Sequence, residues 1–257
     1  MSFQEQLIAF LTIVRKEVKR FMRIWTQTLV PPVITITLYF IIFGNLIGKR
    51  IGTMSGVDYI EFVVPGLIMM SVITSSYTNV VSSFFGAKFQ RFVEEMLVSP
   101  TPNYIILSGF VMGGVARGLG VGLIVTLVAL FFTDLHIHSY PITISIVVIT
   151  SVFFSMAGFI NAVYAETFDD ISIVPTFLLT PLIYLGGVFY STDLLPEFWA
   201  GVSHANPILY IVNAFRYGIL GITDVDVTWA FIMVGVFTLV AYIFSLRLLN
   251  SGKSLRQ

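Results

Sequence analysis

The chain has 257 residues, 56% of them hydrophobic and only 11% charged, with a mean hydropathy of +0.91. Soluble domains carry roughly 25% charged residues, and water could not solvate so apolar a surface, so a soluble globular fold is excluded. Fourteen basic and fourteen acidic residues cancel, which leaves no global field to attract nucleic acid, and the absence of cysteine excludes disulfide frameworks, thiolate metal sites and a cysteine nucleophile.

In chain order, the first element is amphipathic. Leu7, Leu11, Val14, Val18, Phe21 and Trp25 recur at spacings of three and four, and Arg15, Lys16, Lys19 and Arg23 fill the opposite face. This describes a helix lying in the membrane interface, with its basic residues toward anionic headgroups and Trp25 at its boundary. The plainer alternative is an amphipathic helix packed on a soluble partner. No cleavable signal peptide is expected, because the apolar run Leu7 to Val14 leads straight into Arg15, Lys16, Glu17, Lys19 and Arg20.

Six apolar stretches long enough to cross a bilayer follow, near residues 29–47, 60–84, 105–132, 141–164, 171–190 and 228–249. Pro31 and Pro32 open the first. The fifth is interrupted by Pro175 and Pro181, and residues 191–222 after it are too polar to span yet too apolar for a free loop. That segment reads as re-entrant or interfacial helix. One side of this topology would hold Arg15, Lys16, Lys19, Arg20, Arg23, Lys88, Arg91, Arg247, Lys253 and Arg256, and the other only Lys49, Arg50 and Arg216. Both termini and the 85–104 loop are therefore assigned to the cytoplasm.

Between the second and third spans, residues 85–104 form a short amphipathic helix. Phe89, Phe92, Val93 and Met96 face membrane or protein, Lys88, Arg91, Glu94 and Glu95 point outward, and Pro100 and Pro102 end it. A charged, rigid loop of this kind suits a membrane domain that receives force from a soluble partner; a solvated connector is the plain alternative.

Within the spans, Ser71, Ser75, Thr78, Asn79 and Ser82 share one helical face, which either packs on another helix or lines an aqueous path. Gly114, Gly118 and Gly122 make two small-xxx-small steps, which argue for helix assembly rather than chemistry. Arg117 lies well inside the third span and needs a partner: Glu166, Asp169, Asp170 or a carbonyl as a structural contact, or a substrate as counter-charge. Tyr39, Phe40, Phe43, Tyr184, Phe189, Tyr190, Phe198, Trp199 and Tyr210 gather toward the external half, as an interfacial belt or a track for sugar rings or lipid tails.

Catalytic chemistry is missing from the pattern. Gly252, Lys253 and Ser254 suggest a nucleotide-binding loop, but Arg247 stands where its first glycine belongs, so no ATP site is expected. His136, His138 and His204 fall on one side of the membrane and could in geometry hold a metal, though loop histidines are more often solvated.

The stretch Leu179 to Arg216 resembles the signature of the ABC-2 type transporter permeases: Leu179, Leu182, Leu185, Gly186 and Val188, then Leu195 and Pro196, then Pro207, Ile208, Tyr210 and Arg216. The surrounding organisation agrees over nearly the whole chain. The resemblance implies an all-α membrane protein, a single domain over residues 1–257 with six transmembrane helices. It also implies an N-terminal interface helix (3–26), a cytoplasmic coupling helix (85–99) and external re-entrant helices after the fifth span (189–222).

By the same resemblance, two copies assemble in the bacterial inner membrane with two soluble ATPase subunits, which bind the ATP and Mg. This chain would then be neither an enzyme nor a holder of cofactor or metal. Lys88, Arg91, Glu94 and Glu95 would meet the ATPase, and Arg15, Lys16, Lys19 and Arg23 would meet lipid. Tyr39, Phe43, Ser75, Asn79 and Tyr184 would lie along the path, and a lipid-linked, glycan or amphiphilic cargo would move outward. The competing reading is a secondary transporter or channel working without ATP, which would want midplane acids or an inverted repeat; here the acids sit at span ends and in loops. A membrane enzyme or scaffold is disfavoured by the missing catalytic cluster.

Overall fold

Hydrocarbon offers the backbone no hydrogen-bond partners, so a chain this apolar satisfies its peptide groups within helices. The computed structural model describes residues 1–252, apart from the side chain of Asn45. Lys253 and Arg256, counted above toward the orientation, and Lys253 and Ser254 of the loop-like tripeptide lie outside the described residues.

The first helix, α1 (Phe3–Arg23), begins in a capping box: the Ser2 hydroxyl accepts the Glu5 N–H, and the Glu5 carboxylate accepts the Ser2 N–H at 2.7 Å. After an elbow at Ile24 comes α2 (Trp25–Ile51), which widens into i→i+5 turns across Phe40–Ile47. A hairpin of β1 (Thr53–Met54) and β2 (Val57–Asp58) follows, turned by Ser55 and Gly56, both at positive φ as a type I′ turn requires. Then come α3 (Tyr59–Phe89), α4 (Phe92–Val98), α5 (Asn103–Ala129), α6 (Tyr140–Tyr164), α7 (Asp170–Tyr184), α8 (Glu197–His204), α9 (Pro207–Leu220) and α10 (Val227–Ser251).

Among the described residues five helices, α2, α3, α5, α6 and α10, are long and apolar enough to cross a membrane. The shortest has 25 residues, about 37 Å at helical rise against a hydrocarbon core of about 30 Å. The fifth of the six expected spans falls short. Its helix stops at Tyr184 instead of reaching 190, about 22 Å from its start at Asp170. Pro175 and Pro181 remove two N–H donors, the turns widen across Pro175–Leu179, and Gly187 at φ +69° redirects the chain. Residues 191–222, expected as re-entrant helix, hold α8 and α9; α9 is deeply buried among α3, α6 and α10.

The central helix is α3: 78% of its most apolar stretch is buried, against 12% for α2 and 17% for α10, which lie at the periphery. Phe84 anchors the bundle toward the end where α3 closes, with ring centroids 4.3 Å from Phe159 of α6 and 5.2 Å from Phe110 of α5. The glycine stripe of α5 makes this closeness feasible. A methyl at Gly118 would collide with Ser76 of α3 and come within 3.2 Å of Ser151 of α6, and one at Gly114 would strike Ser155 and Val80. Gly118→Val is therefore expected to destabilise the bundle by about 1–3 kcal/mol through overpacking, read by thermal unfolding in detergent. A wild-type melting curve would contradict this account of the stripe.

The two ends of the bundle differ. At one, the Asn103 side-chain amide donates to Asn250 Oδ1 at 2.7 Å, and the Tyr104 hydroxyl donates to Gln6 Oε1 at 2.7 Å. The start of α5, the close of α10 and helix α1 therefore meet there. At the other, the His138 and Ser139 N–H groups donate to the Ile219 and Gly218 carbonyls, and the Tyr59 hydroxyl donates to the Phe189 carbonyl at 3.0 Å.

Candidate functional site

At the end that gathers α1, helix α3 runs unbroken to Phe89, then bends at Gln90 and Arg91 into α4. Arg91 sits in the left-handed region at φ +63° and is exposed. Val93 plugs α4 into the core, with Met96 and Leu97 packed beside it, while Phe92, Glu95 and Val98 stay exposed and Glu94 is half-buried. The expectation of an outward Lys88 is not met. Lys88 is buried, and its ammonium donates to the Val163 carbonyl at 2.6 Å and the Ala165 carbonyl at 2.8 Å. Those are the carbonyls a helix C-terminus leaves unpaired, so burying the ammonium there satisfies both sides.

Helix α1 is fixed to the bundle by a face that amphipathic counting misses. Glu17 is 0% exposed; its carboxylate accepts from the Ser83 hydroxyl at 2.6 Å and lies 3.4 Å from Arg20 Nε and 3.7 Å from Lys16 Nζ. A methyl at Gly113 would clash with the Glu17 side chain and one at Gly109 with Ile13, so those two glycines of α5 form the seat for α1. Arg20 continues onto α3, donating to both the backbone and side-chain oxygens of Asn79 at 2.9 Å. Lys16 lies 5.1 Å from the Phe110 ring centroid. Meanwhile Leu7, Leu11 and Trp25, with Arg15, Lys19 and Arg23, are exposed. The signal for this seat was in the sequence: an acid, Glu17, three residues before Arg20 inside a basic run.

Asn79, expected along a path, is buried and engaged by Arg20. The α3 hydroxyl face is mainly a packing face: Ser71, Ser75 and Asn79 are buried, and Ser82 Oγ accepts a 3.4 Å contact from Arg20. Arg117 meets a carbonyl rather than one of the three acids considered for it: its guanidinium donates to Thr28 O at 3.4 Å. Thr28 in turn donates to Phe21 O at 2.9 Å, so Arg117 braces the elbow between α1 and α2.

At the opposite end, three of the expected path residues meet. The Tyr39 and Tyr184 hydroxyls lie 2.9 Å apart, and Phe189 packs on Tyr39, Phe43 and Tyr184 with centroids 5.8, 4.7 and 5.7 Å away. This aromatic cluster joins α2 to the end of α7. Ser75 is not part of it. It lines a separate groove of about 230 Å³ between α2 and α3, with Pro31, Thr35, Ser71 and Thr74.

The expected signature residues explain how α9 is set. Gly186 leaves room for Ile208, since a methyl there would come within 2.7 Å of its side chain. Pro207 opens α9 at its first position, where its missing N–H is not needed, and Pro196 is the N-cap residue of α8. Arg216 is 0% exposed. Its guanidinium donates to Gly187 O at 2.6 Å, Phe62 O at 3.2 Å and Asn213 Oδ1 at 3.2 Å, and stacks 3.8 Å from the Phe62 ring centroid. One cation thus ties α9 to α3 and to the turn after α7. Charge counting along the sequence places it only on the external side, in the segment read as re-entrant or interfacial helix.

His138 stacks edge-on against Tyr217 at 5.4 Å. Among the described residues no group of three or more His, Cys, Asp or Glu is placed to hold a metal, so the three-histidine site is not formed.

A bundle of long apolar helices, a charged helix held at one end, and a buried turn-and-helix insertion at the other define an all-α membrane protein. Residues 8–220 match the family model described as ABC-2 type transporter, and the chain belongs to that family. It is 59% identical over 249 residues to the inner membrane transport permease YadH of Escherichia coli K12, with 97% of each chain covered. It is also 23% identical over 214 residues to nodulation protein J of Rhizobium leguminosarum bv. viciae, covering 83% of each chain, and 24% identical over 187 residues to nodulation protein J of Rhizobium meliloti.

Proposed function

We propose that the chain is the membrane subunit of an ABC exporter, working as a homodimer with two soluble ATPase subunits that hold ATP and Mg. The observation that carries this reading is α4: a short helix with exposed Glu95, joined to the central helix α3 through only the two-residue elbow of Gln90 and the exposed Arg91. Movement imposed on α4 would be delivered directly to the most buried helix of the bundle.

In this reading α1, α4 and both termini face the cytoplasm, where the basic residues concentrate. Helix α7 and the turn through Tyr190 complete a sixth crossing, and α8 and α9 dip in from the outside. Residues 3–26, 85–99 and 189–222 then serve as interface helix, coupling helix and re-entrant segment of one domain. Arg15, Lys19 and Arg23, exposed on α1, would meet anionic lipid, with Lys16 alongside. The under-packed α2, next to α7 with its exposed Ile173, Phe177 and Leu178, supplies the surface for the second copy. Cargo would pass at the dimer axis, along the groove beside Ser75 and the ring cluster of Tyr39, Phe43 and Tyr184; aromatic faces suit a glycan or lipid-linked amphiphile. Similarity to a transport permease of the inner membrane supports that location.

The test uses the complex copurified with its ATPase subunit. Replacing residues 92–98 by a glycine-serine linker should abolish copurification, and Glu94→Lys with Glu95→Lys should leave ATP turnover running while export falls at least about tenfold, a loss of about 1.4 kcal/mol of coupling. Cargo is identified beforehand by comparing lipid and glycan extracts of cells with and without the protein. Retention of the ATPase by the linker variant would overturn the assignment of α4, and export without any nucleotide hydrolase would overturn the exporter.

A further inference from the structure

A helix that receives force moves a gate only if something carries the motion onward, and α4 touches the membrane core at more than its own root. Lys88, the penultimate residue of α3, clamps the last carbonyls of α6, at Val163 and Ala165. Just beyond lies the 165–169 turn that leads into α7. Phe168 of that turn packs against two rings of the same α3 end, Phe85 at 4.9 Å and Phe89 at 5.1 Å. The turn is itself braced: the Asp170 carboxylate accepts the backbone N–H groups of Glu166 at 2.9 Å and Thr167 at 2.8 Å, and the Asn161 amide donates to Ile171 O at 3.2 Å. The end of α3, the close of α6, the turn and the start of α7 therefore form one continuous block, two residues from the elbow that leads into α4. At its far end α7 reaches the Tyr39–Tyr184 contact with α2.

We propose that Lys88 is a positioning residue for coupling, which, by clamping the α6 terminus beside the Phe168 turn, makes α7 follow α4 when the ATPase moves it. The inference rests on the exporter reading and adds a route to it. Lysine is well suited to such a clamp, because its compact ammonium satisfies two carbonyls from the end of a flexible stem and so holds on while the helices tilt against one another. An ordinary buried cap would stabilise α6 and nothing more, so the two roles separate in motion rather than in folding.

The chain lacks cysteine, so a single Ser172→Cys, a near-isosteric change at an exposed position of α7 outside the surface assigned to the second copy, accepts a nitroxide without further change. Electron–electron distances between the two labelled copies are measured in the complex with its ATPase subunit, without nucleotide and with ATP and vanadate. A nucleotide-dependent distance change is expected in the Lys88-containing complex, and Lys88→Arg, which keeps the donors, retains it. Lys88→Met should lose most of the change while ATP turnover stays within about twofold of the parent, under 0.5 kcal/mol of activation free energy. Should Lys88→Met fail to accumulate, Phe168→Ala, a truncation at a half-exposed site, decides the matter and should cut the change by at least half. A full distance change in the folded Lys88→Met complex, or in Phe168→Ala where that variant decides, overturns the proposal alone. Absence of any change in the parent complex overturns the exporter reading and this inference together.

Discussion

Replacing Arg216 by methionine is expected to destabilise the protein by about 3–5 kcal/mol, from a lost desolvated cation–π contact and a buried carbonyl left without its charged donor. The residue is fully buried, and its three acceptors are oxygens of Phe62, Gly187 and Asn213. Asn213 Oδ1 also accepts from the Asp224 N–H at 3.1 Å, so the loss would spread into the connection to α10. Methionine fills much of the volume and so isolates the polar loss from a cavity effect. Arg216→Lys keeps the charge but not the planar fork, cannot reach three acceptors and stack at once, and should recover about half of the deficit. Thermal unfolding in detergent reads both. A shift under about 4 °C for the methionine variant, roughly 1 kcal/mol for a chain of this size, would mean that the guanidinium is not what holds α9 in place.

The second large effect is expected at Glu17. Its carboxylate is fully buried while its partner Arg20 keeps 29% side-chain exposure, so Glu17→Ala should cost about 2–3 kcal/mol, below the 3–5 of a fully buried pair. The consequence is local: α1 loses its seat on Gly109 and Gly113, and limited proteolysis should cut near the Ile24 elbow faster than in the parent. The double change Glu17→Ala with Arg20→Ala should cost less than the sum of the single changes, because an unpaired guanidinium no longer remains. Additive losses would show that the two side chains act independently.

Hydropathy made the membrane class and the long helices legible, because twenty apolar residues in a row admit few other structures. Spans one, two, four and six, as read from sequence, fall inside long helices, and span three, read as 105–132, stops three residues early at Ala129. The fifth was legible as irregular from Pro175 and Pro181, but its stop at Tyr184 was not, since that depends on Gly187 turning to positive φ under α9. Lys88, Arg117 and Arg216 show the deeper limit. Each was visible as a cation, yet the hydrogen bonds each makes run mainly to backbone carbonyls of distant residues, and a carbonyl has no letter in the sequence. Matching acids therefore does not find these contacts. Glu17 was visible three residues before Arg20 but masked by a stronger pattern: the stripe of Leu7, Leu11, Val14 and Val18 is real, but half of it stays exposed, and the helix is held by the neighbouring stripe of Gln6, Ile13 and Glu17.

The carbonyl partners also fix an order of events during synthesis. Arg117 and Arg216 bond to oxygens of Thr28, Phe62 and Gly187, all made earlier in the chain, so each can be sealed in as soon as its own helix leaves the insertion machinery. Lys88 must wait for carbonyls 75 and 77 residues further along. Of these three cations, the one that waits stands one residue from the end of its helix; the other two arrive to find their partners already in place.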